Sequence, residues 1–168
     1  MKKILVFSAL LLSLSGCSTL MSSAATGLAE NVSGAMFNQV DPETAKDALP
    51  TFIVLLDSFL QDDPYDADIL SSGAQMYATY GAVFADDEVR ASRLTTRGRK
   101  YAQTAMCVSY EPACNWPGAT YDEFVATLDG IERKNAEYLF TYGFASLAYL
   151  RAHAADWNSL AELPQVGE

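Results

Sequence analysis

Histidine occurs once in these 168 residues, at His153, and cysteine three times. With no cysteine, serine or second histidine at triad or zinc-ligand spacing from it, His153 reads as an ordinary helix-surface residue. Basic residues are few, eleven against twenty-one Asp and Glu, for a formal charge of −10. That balance excludes a nucleic-acid footprint, because phosphate backbones need clustered cations in excess. Apolar runs long enough to span a bilayer are missing as well: the N-terminal run and the run Phe52–Leu60 are both too short. Asp62, Asp63, Asp66 and Asp68 crowd one turn, yet a hand-type calcium loop counted from Asp63 has Asp68 where glycine belongs and Ala74 where glutamate belongs. Helix capping is the better account of that cluster. No metal, cofactor or catalytic residue is assigned; carboxylates distant in the chain can meet in space, but no motif here supports such a pair.

Lys2 and Lys3 precede a short apolar run, and the stretch ends in Leu14-Ser15-Gly16-Cys17. Charge, apolar core and small residues before a cysteine make residues 1–16 an export signal with the lipobox of bacterial lipoproteins, and Cys17 the lipid-bearing residue. One acyl chain holds only marginally, so the multiple chains of such an anchor would fix the protein to a membrane surface. Ser18 after the cysteine, in place of Asp, points by the enteric sorting rule to the periplasmic side of the outer membrane. Residues 17–27 are small and polar, suited to a tether, and residues 28–168 are left as one helical-repeat domain. Loss of Lys2 and Lys3 with the signal makes the charge more negative by two.

A first short helix is expected over Leu28–Val40. Asp41-Pro42-Glu43 then caps a longer one, which Pro50 should kink or divide, and Phe52–Leu56 with Phe59 and Leu60 make it apolar on nearly all sides. The stretch from Asp63 to Cys107 reads as a helical hairpin. Asp63 caps its first helix with Pro64 in the first turn, and Leu70, Gly73, Met76, Tyr77, Tyr80 and Phe84 recur at helical steps, with Gly73 and Ala74 admitting a close neighbour. Asp86, Asp87 and Glu88 suit the positive end of the second helix, whose apolar positions are Val89, Leu94, Tyr101 and Ala102. Arg90, Arg93, Arg97, Arg99 and Lys100 read as a solvated face late on that helix.

Seventy positions downstream the pattern returns. Phe140, Gly143, Leu147 and Leu150 stand where Leu70, Gly73, Tyr77 and Tyr80 stood. Seventy is about two periods of the roughly 34-residue tetratricopeptide repeat, which would place the second copy two units along an array. The expected fold is therefore all-α, with antiparallel helical hairpins stacked as a tetratricopeptide-like solenoid. Cys107 and Cys114 flank a short loop before a helix starting near Tyr121; in an oxidising periplasm a disulfide is favoured over two free thiols. Tyr77, Tyr80, Phe84, Tyr142 and Tyr149 offer a candidate ligand or partner face, since a phenol presents an apolar body with a polar tip. The same spacing also suits repeat packing.

The run from Ala48 to Cys107, with the lipobox, the Leu-Leu-Asp stretch at Asp57, the Asp-Pro turn at Asp63, the tyrosines of Tyr77–Tyr80 and the arginine-bearing helix ending in Cys107, resembles the TatT family. This is the T component of TRAP-transporter-associated lipoproteins. The resemblance implies a helical-hairpin fold, a homotrimer with a pore, a complex with a periplasmic TRAP solute-binding protein, and a non-catalytic role in passing a small organic ligand. A tetratricopeptide-type lipoprotein scaffold for envelope assembly is the alternative. The family continues through further hairpins, whereas this chain stops at Leu163–Glu168 without a polar capping repeat, so it is expected to be a fragment or a shortened member.

Overall fold

The computed structural model describes residues 16–167, with side chains from residue 23 onward. The expected export signal, save Gly16, and the thiol of Cys17, where the lipid is expected, lie outside that description. The described residues are all-α: α1 (Gly16–Phe37), α2 (Pro42–Asp62), α3 (Ala67–Thr79, continued by a π-helical turn Tyr80–Phe84), α4 (Glu88–Ser109), α5 (Tyr121–Leu128), α6 (Ala136–Ala152), α7 (Trp157–Leu160) and α8 (Leu163–Val166). None of these helices is long and apolar enough to cross a membrane.

Local chemistry sets most of the boundaries. Asp41 caps α2 by accepting from the Thr44 amide, with Pro42 in the first turn, and Asp87 caps α4 by accepting from Arg90. Thr120 and Glu123 close a reciprocal capping box on α5. Three boundaries differ from expectation. Asp66, not Asp63, caps α3, accepting from the Asp68 and Ile69 amides. Asp63 instead ends α2, and its carboxylate takes the Tyr65 amide in a tight turn around Pro64. The first helix runs back through the expected tether to Gly16, ends at Phe37 short of Val40, and packs on α3, where Thr26 donates to Asp66 and Ala29 is fully buried. Pro50 does not divide α2, because Leu49 and Ile53 on either side of it are held in the same core.

Helix α3 is the centre of the molecule. Its Ile69, Leu70, Met76, Tyr77 and Tyr80 join Leu49, Ile53, Leu56 and Leu60 of α2 in one core. Its Ala74 and Ala78 join Ala102 and Met106 of α4, Phe124 of α5, and Tyr142 and Ala145 of α6 in a second. Helix α2 is amphipathic and not buried on all sides: Ile53, Leu56 and Leu60 face in, while Val54 is 67 % exposed. On α4 the buried positions are Thr95, Gly98, Ala102, Ala105 and Met106. Val89, expected inside, lies at the open end of the helix.

The seventy-residue recurrence has a direct structural meaning, and it corrects the expected spacing. Ser71 and Thr141 share a hydrogen bond of 2.9 Å, and Tyr138 donates to Asp68; both pairs are seventy residues apart. An equal offset at two points means that α3 and α6 run parallel, in register, as neighbours and not two units apart. The intervening residues are used by α4, the cysteine loop and the additional short helix α5.

Candidate ligand and partner surfaces

None of the five basic residues of α4 stands in its last turn, where the helix dipole favours cations. Three of them are engaged. Arg90 lies over the Tyr80 ring at 5.0 Å. Arg97 donates to Asp57 at 3.1 Å and to the Tyr101 hydroxyl at 2.8 Å. Arg99 pairs with Glu162 and lies 4.5 Å over the Tyr149 ring. Charge number alone suggested a solvated face; the partners come from four other places in the chain.

Asp57 collects the first of these sites. Its Oδ2 accepts from the Tyr77 hydroxyl at 2.8 Å and from Arg97, while Oδ1 accepts from the Tyr101 hydroxyl at 2.8 Å. One carboxylate thus ties α2, α3 and α4 together. Burial first, then the hydrogen bond to Asp57, pushes the Tyr77 phenol well above its ordinary value, and Tyr101 rises for the same reasons. Burial also leads the upward shifts of Tyr138, beside Asp68, and Tyr142. These phenols hold their protons longer folded than unfolded. Their contribution is complete below the unfolded phenol value of about 10 and is lost as pH climbs through the higher folded values. Thermal melts followed by circular dichroism should therefore show a midpoint that falls steadily from about pH 10 upward, and a midpoint as high at about pH 11 as at about pH 9 would refute this.

Cys107 and Cys114 are bridged, with Cα atoms 4.5 Å apart. The bridge draws the turn Glu111–Asn115 against the end of α4 and sets Trp116 beside it. The Trp116 indole N–H donates to Thr127 at 2.8 Å, and the ring meets Phe124 and Tyr142 at 4.8 and 5.0 Å.

The tyrosines do not gather on one face. Tyr77 and Tyr80 are buried in the first core with Phe84 packed against them, and Tyr142 is buried in the second. Tyr149 is half-buried, stacked on His153 and lying beneath Arg99. It edges a cleft of about 390 Å³ between α4, the Trp116–Ala119 loop and the chain around Glu162. His153 is also more than a surface residue. Its Nδ1–H donates to the Tyr149 carbonyl at 2.8 Å, which leaves Nε2 to accept from the Ser92 hydroxyl at 2.7 Å. This is the first hydrogen bond of a nucleophilic pair, but Ser92 sits inside α4, where the neighbouring amides are spent on the helix and form no oxyanion site. What the pair does is pin the end of α6 to the start of α4. No group of three or more His, Cys, Asp or Glu among the described residues is placed to hold a metal ion.

The third surface lies on α6. Phe140 and Leu147 are 68 % and 54 % exposed, Phe140 stacks on Phe144 at 6.3 Å, and nothing lies within 4 Å of a side-chain position at Gly143. Next to them an apolar groove of about 420 Å³ runs between α5, α6 and α8, lined by Phe124, Leu128, Ile131, Leu139, Phe140 and Val166. The equivalent positions of α3 are covered: Leu70 and Tyr77 are buried, and a Cβ added at Gly73 would stand 3.2 Å from the Tyr101 ring. Helix α6 thus repeats the apolar pattern of α3 with the outer side left open.

The family model TAtT, TRAP transporter T-component, matches residues 38–168. No curated protein and no solved structure matches the chain.

Proposed function

From the premise that the chain belongs to the TRAP transporter T-component family, we propose that it is a lipid-anchored accessory of a TRAP transport system, which docks the periplasmic solute-binding protein through α6 and helps pass it a small organic ligand. The observation that carries the docking site is the open strip Phe140, Gly143 and Leu147, whose counterparts on α3 are covered by α2 and α4. Exposed apolar side chains beside an apolar groove gain free energy when a partner removes them from water, at roughly 25 cal/mol per Å². Helix α3 was the other helix expected to meet a partner, but with neighbours on several sides it has little surface to offer. In this reading Cys17 bears the lipid, residues 17–27 join the anchor to the domain, and the domain works on the periplasmic side of the outer membrane.

The test is binding of the cognate solute-binding protein to the lipid-free chain. The unmodified chain should bind, and the double change Phe140→Glu with Leu147→Glu should weaken binding by about tenfold or more, since truncated interface anchors each cost above 1 kcal/mol. Both side chains are exposed, so the fold should survive. If the unmodified chain does not bind its cognate protein, the docking reading is lost and the envelope scaffold becomes the better account.

A further inference from the structure

Arg99 is a cation in an unusual setting for a helix surface. Its side chain is 20 % exposed, the Tyr149 ring lies beneath it, and Tyr142 is close enough to feel its charge. A guanidinium withdrawn from water this far needs an anion, and its planar fork of donors matches a carboxylate better than any other common group. The carboxylate present is Glu162, sixty-three residues away in the chain.

The segment that carries Glu162 is weakly held. It links α7 and α8, helices of four residues each; α8 buries no residue, and α7 buries only Ser159. Further polar ties of this end are a hydrogen bond from Gln165 to the Ala119 carbonyl and one of 3.2 Å between the Ser159 and Tyr149 hydroxyls. Few buried apolar contacts mark a segment that opens at low free-energy cost. The roughly 390 Å³ cleft beside Arg99 is bounded by Trp116, Pro117 and Tyr149, with Lys100 as a second cation at its rim. The Arg99 fork and the Tyr149 wall are thus in place for an acid larger than a glutamate side chain, with the buried Trp116 close behind the cleft.

We propose that the Arg99 cleft is a binding site for a small organic carboxylate, and that Glu162 is its built-in occupant. The ligand's carboxylate replaces that of Glu162 on Arg99, its apolar body lies against Tyr149 and Pro117, and the segment bearing Glu162 is released. Glu162 competes from within the chain, at an effective concentration that a short tether sets in the millimolar range. Removing its charge should therefore strengthen ligand binding. The proposal does not depend on the docking of a solute-binding protein, and its test uses this chain alone.

Phenylacetate serves as the probe and phenylacetamide as its neutral counterpart, followed by calorimetry and by tryptophan fluorescence. Trp157 is 84 % exposed, and the chain has two tryptophans, so a Trp157→Phe background leaves Trp116 in the cleft wall as the reporter. In that background Glu162→Gln should bind phenylacetate at least tenfold more tightly than the parent and should not bind phenylacetamide. Adding Arg99→Lys to Glu162→Gln keeps a cation but removes the fork, and should abolish the gain; its melting curve shows whether it is folded. If Arg99→Lys unfolds the chain, the parent and Glu162→Gln comparison decides alone. Equal affinity in those two, equal binding of the amide, or no binding to Glu162→Gln at about 10 mM phenylacetate would each overturn the proposal and leave Arg99 and Glu162 as a tether only.

Discussion

Replacing Gly98 by alanine is expected to lower the stability of the protein by about 3 kcal/mol, the cost of forcing an extra carbon into a packed contact that cannot relax. A Cβ at Gly98 would stand 2.9 Å from the Ala78 amide nitrogen, 3.0 Å from the Ala74 carbonyl oxygen and 3.2 Å from the Tyr77 Cβ. Two of these are backbone atoms of α3, so no rotamer change relieves them; α3 and α4 must move apart along the seam that joins both cores. Alanine is the better helix former by about 1 kcal/mol, which offsets only part of the penalty. In a domain of this size the loss corresponds to a midpoint lower by roughly 10 °C. Gly143→Ala is the matched control, since nothing lies within 4 Å of its added carbon. There the propensity gain stands alone, and the midpoint should rise or hold. Melting midpoints for the two variants decide the matter: an unperturbed Gly98→Ala would mean that the helices are not in the close contact described.

Asp57→Ala is expected to cost about 2 to 3 kcal/mol, the range for leaving buried donors without their acceptor. The three groups that lose the carboxylate do not count equally. Tyr77 is 7 % exposed, and Tyr101 packs edge-on against it at 5.7 Å, so neither hydroxyl regains full hydration. The Arg97 side chain is 50 % exposed and returns its charge to water at little cost. An ion pair that exposed contributes at most about 1 kcal/mol. The brace between α2, α3 and α4 therefore rests on the tyrosine-to-carboxylate bonds and not on the salt bridge. Arg97→Ala should accordingly cost about 1 kcal/mol or less in the same denaturant titration. A loss as large as that of Asp57→Ala would place the energy in the ion pair and refute this division.

Much of the fold was legible in the sequence because it is written in short-range chemistry. Asp41 and Asp87 are caps whose acceptors lie within three residues of the amides they satisfy, so their roles can be read from neighbours alone. The α3 cap is ambiguous for a reason of the same kind: two aspartates three residues apart both suit it, and only the path of the chain around Pro64 gives the role to Asp66 and not to Asp63. Recurrence at seventy residues showed that α3 and α6 are alike but not how far apart they stand, since period arithmetic cannot tell an added short helix from an added repeat. Gly73 stands within a helical apolar pattern that marks it as a close approach, and the Tyr101 ring does press on it. The tighter contact is at Gly98, whose surroundings of Thr95, Arg97 and Arg99 carry no apolar pattern to draw attention to it.

The candidate sites were less legible. Phe140, Gly143 and Leu147 were picked out by period, yet period could not say that this strip is open while its counterpart on α3 is closed; that depends on which neighbours exist. Arg99 was visible only as one cation in a run, because Glu162 lies sixty-three residues away with nothing in its local sequence to mark it. His153 and Ser92, sixty-one residues apart, carry no local mark of their pairing either. By itself the sequence determined the all-α class, most helix starts and the family, since these rest on propensity, capping and pattern, all local or statistical properties of the chain. Which polar groups meet, which tyrosines are buried and which apolar face stays open were decided by the tertiary structure, because each is a property of distances between helices that no stretch of sequence contains.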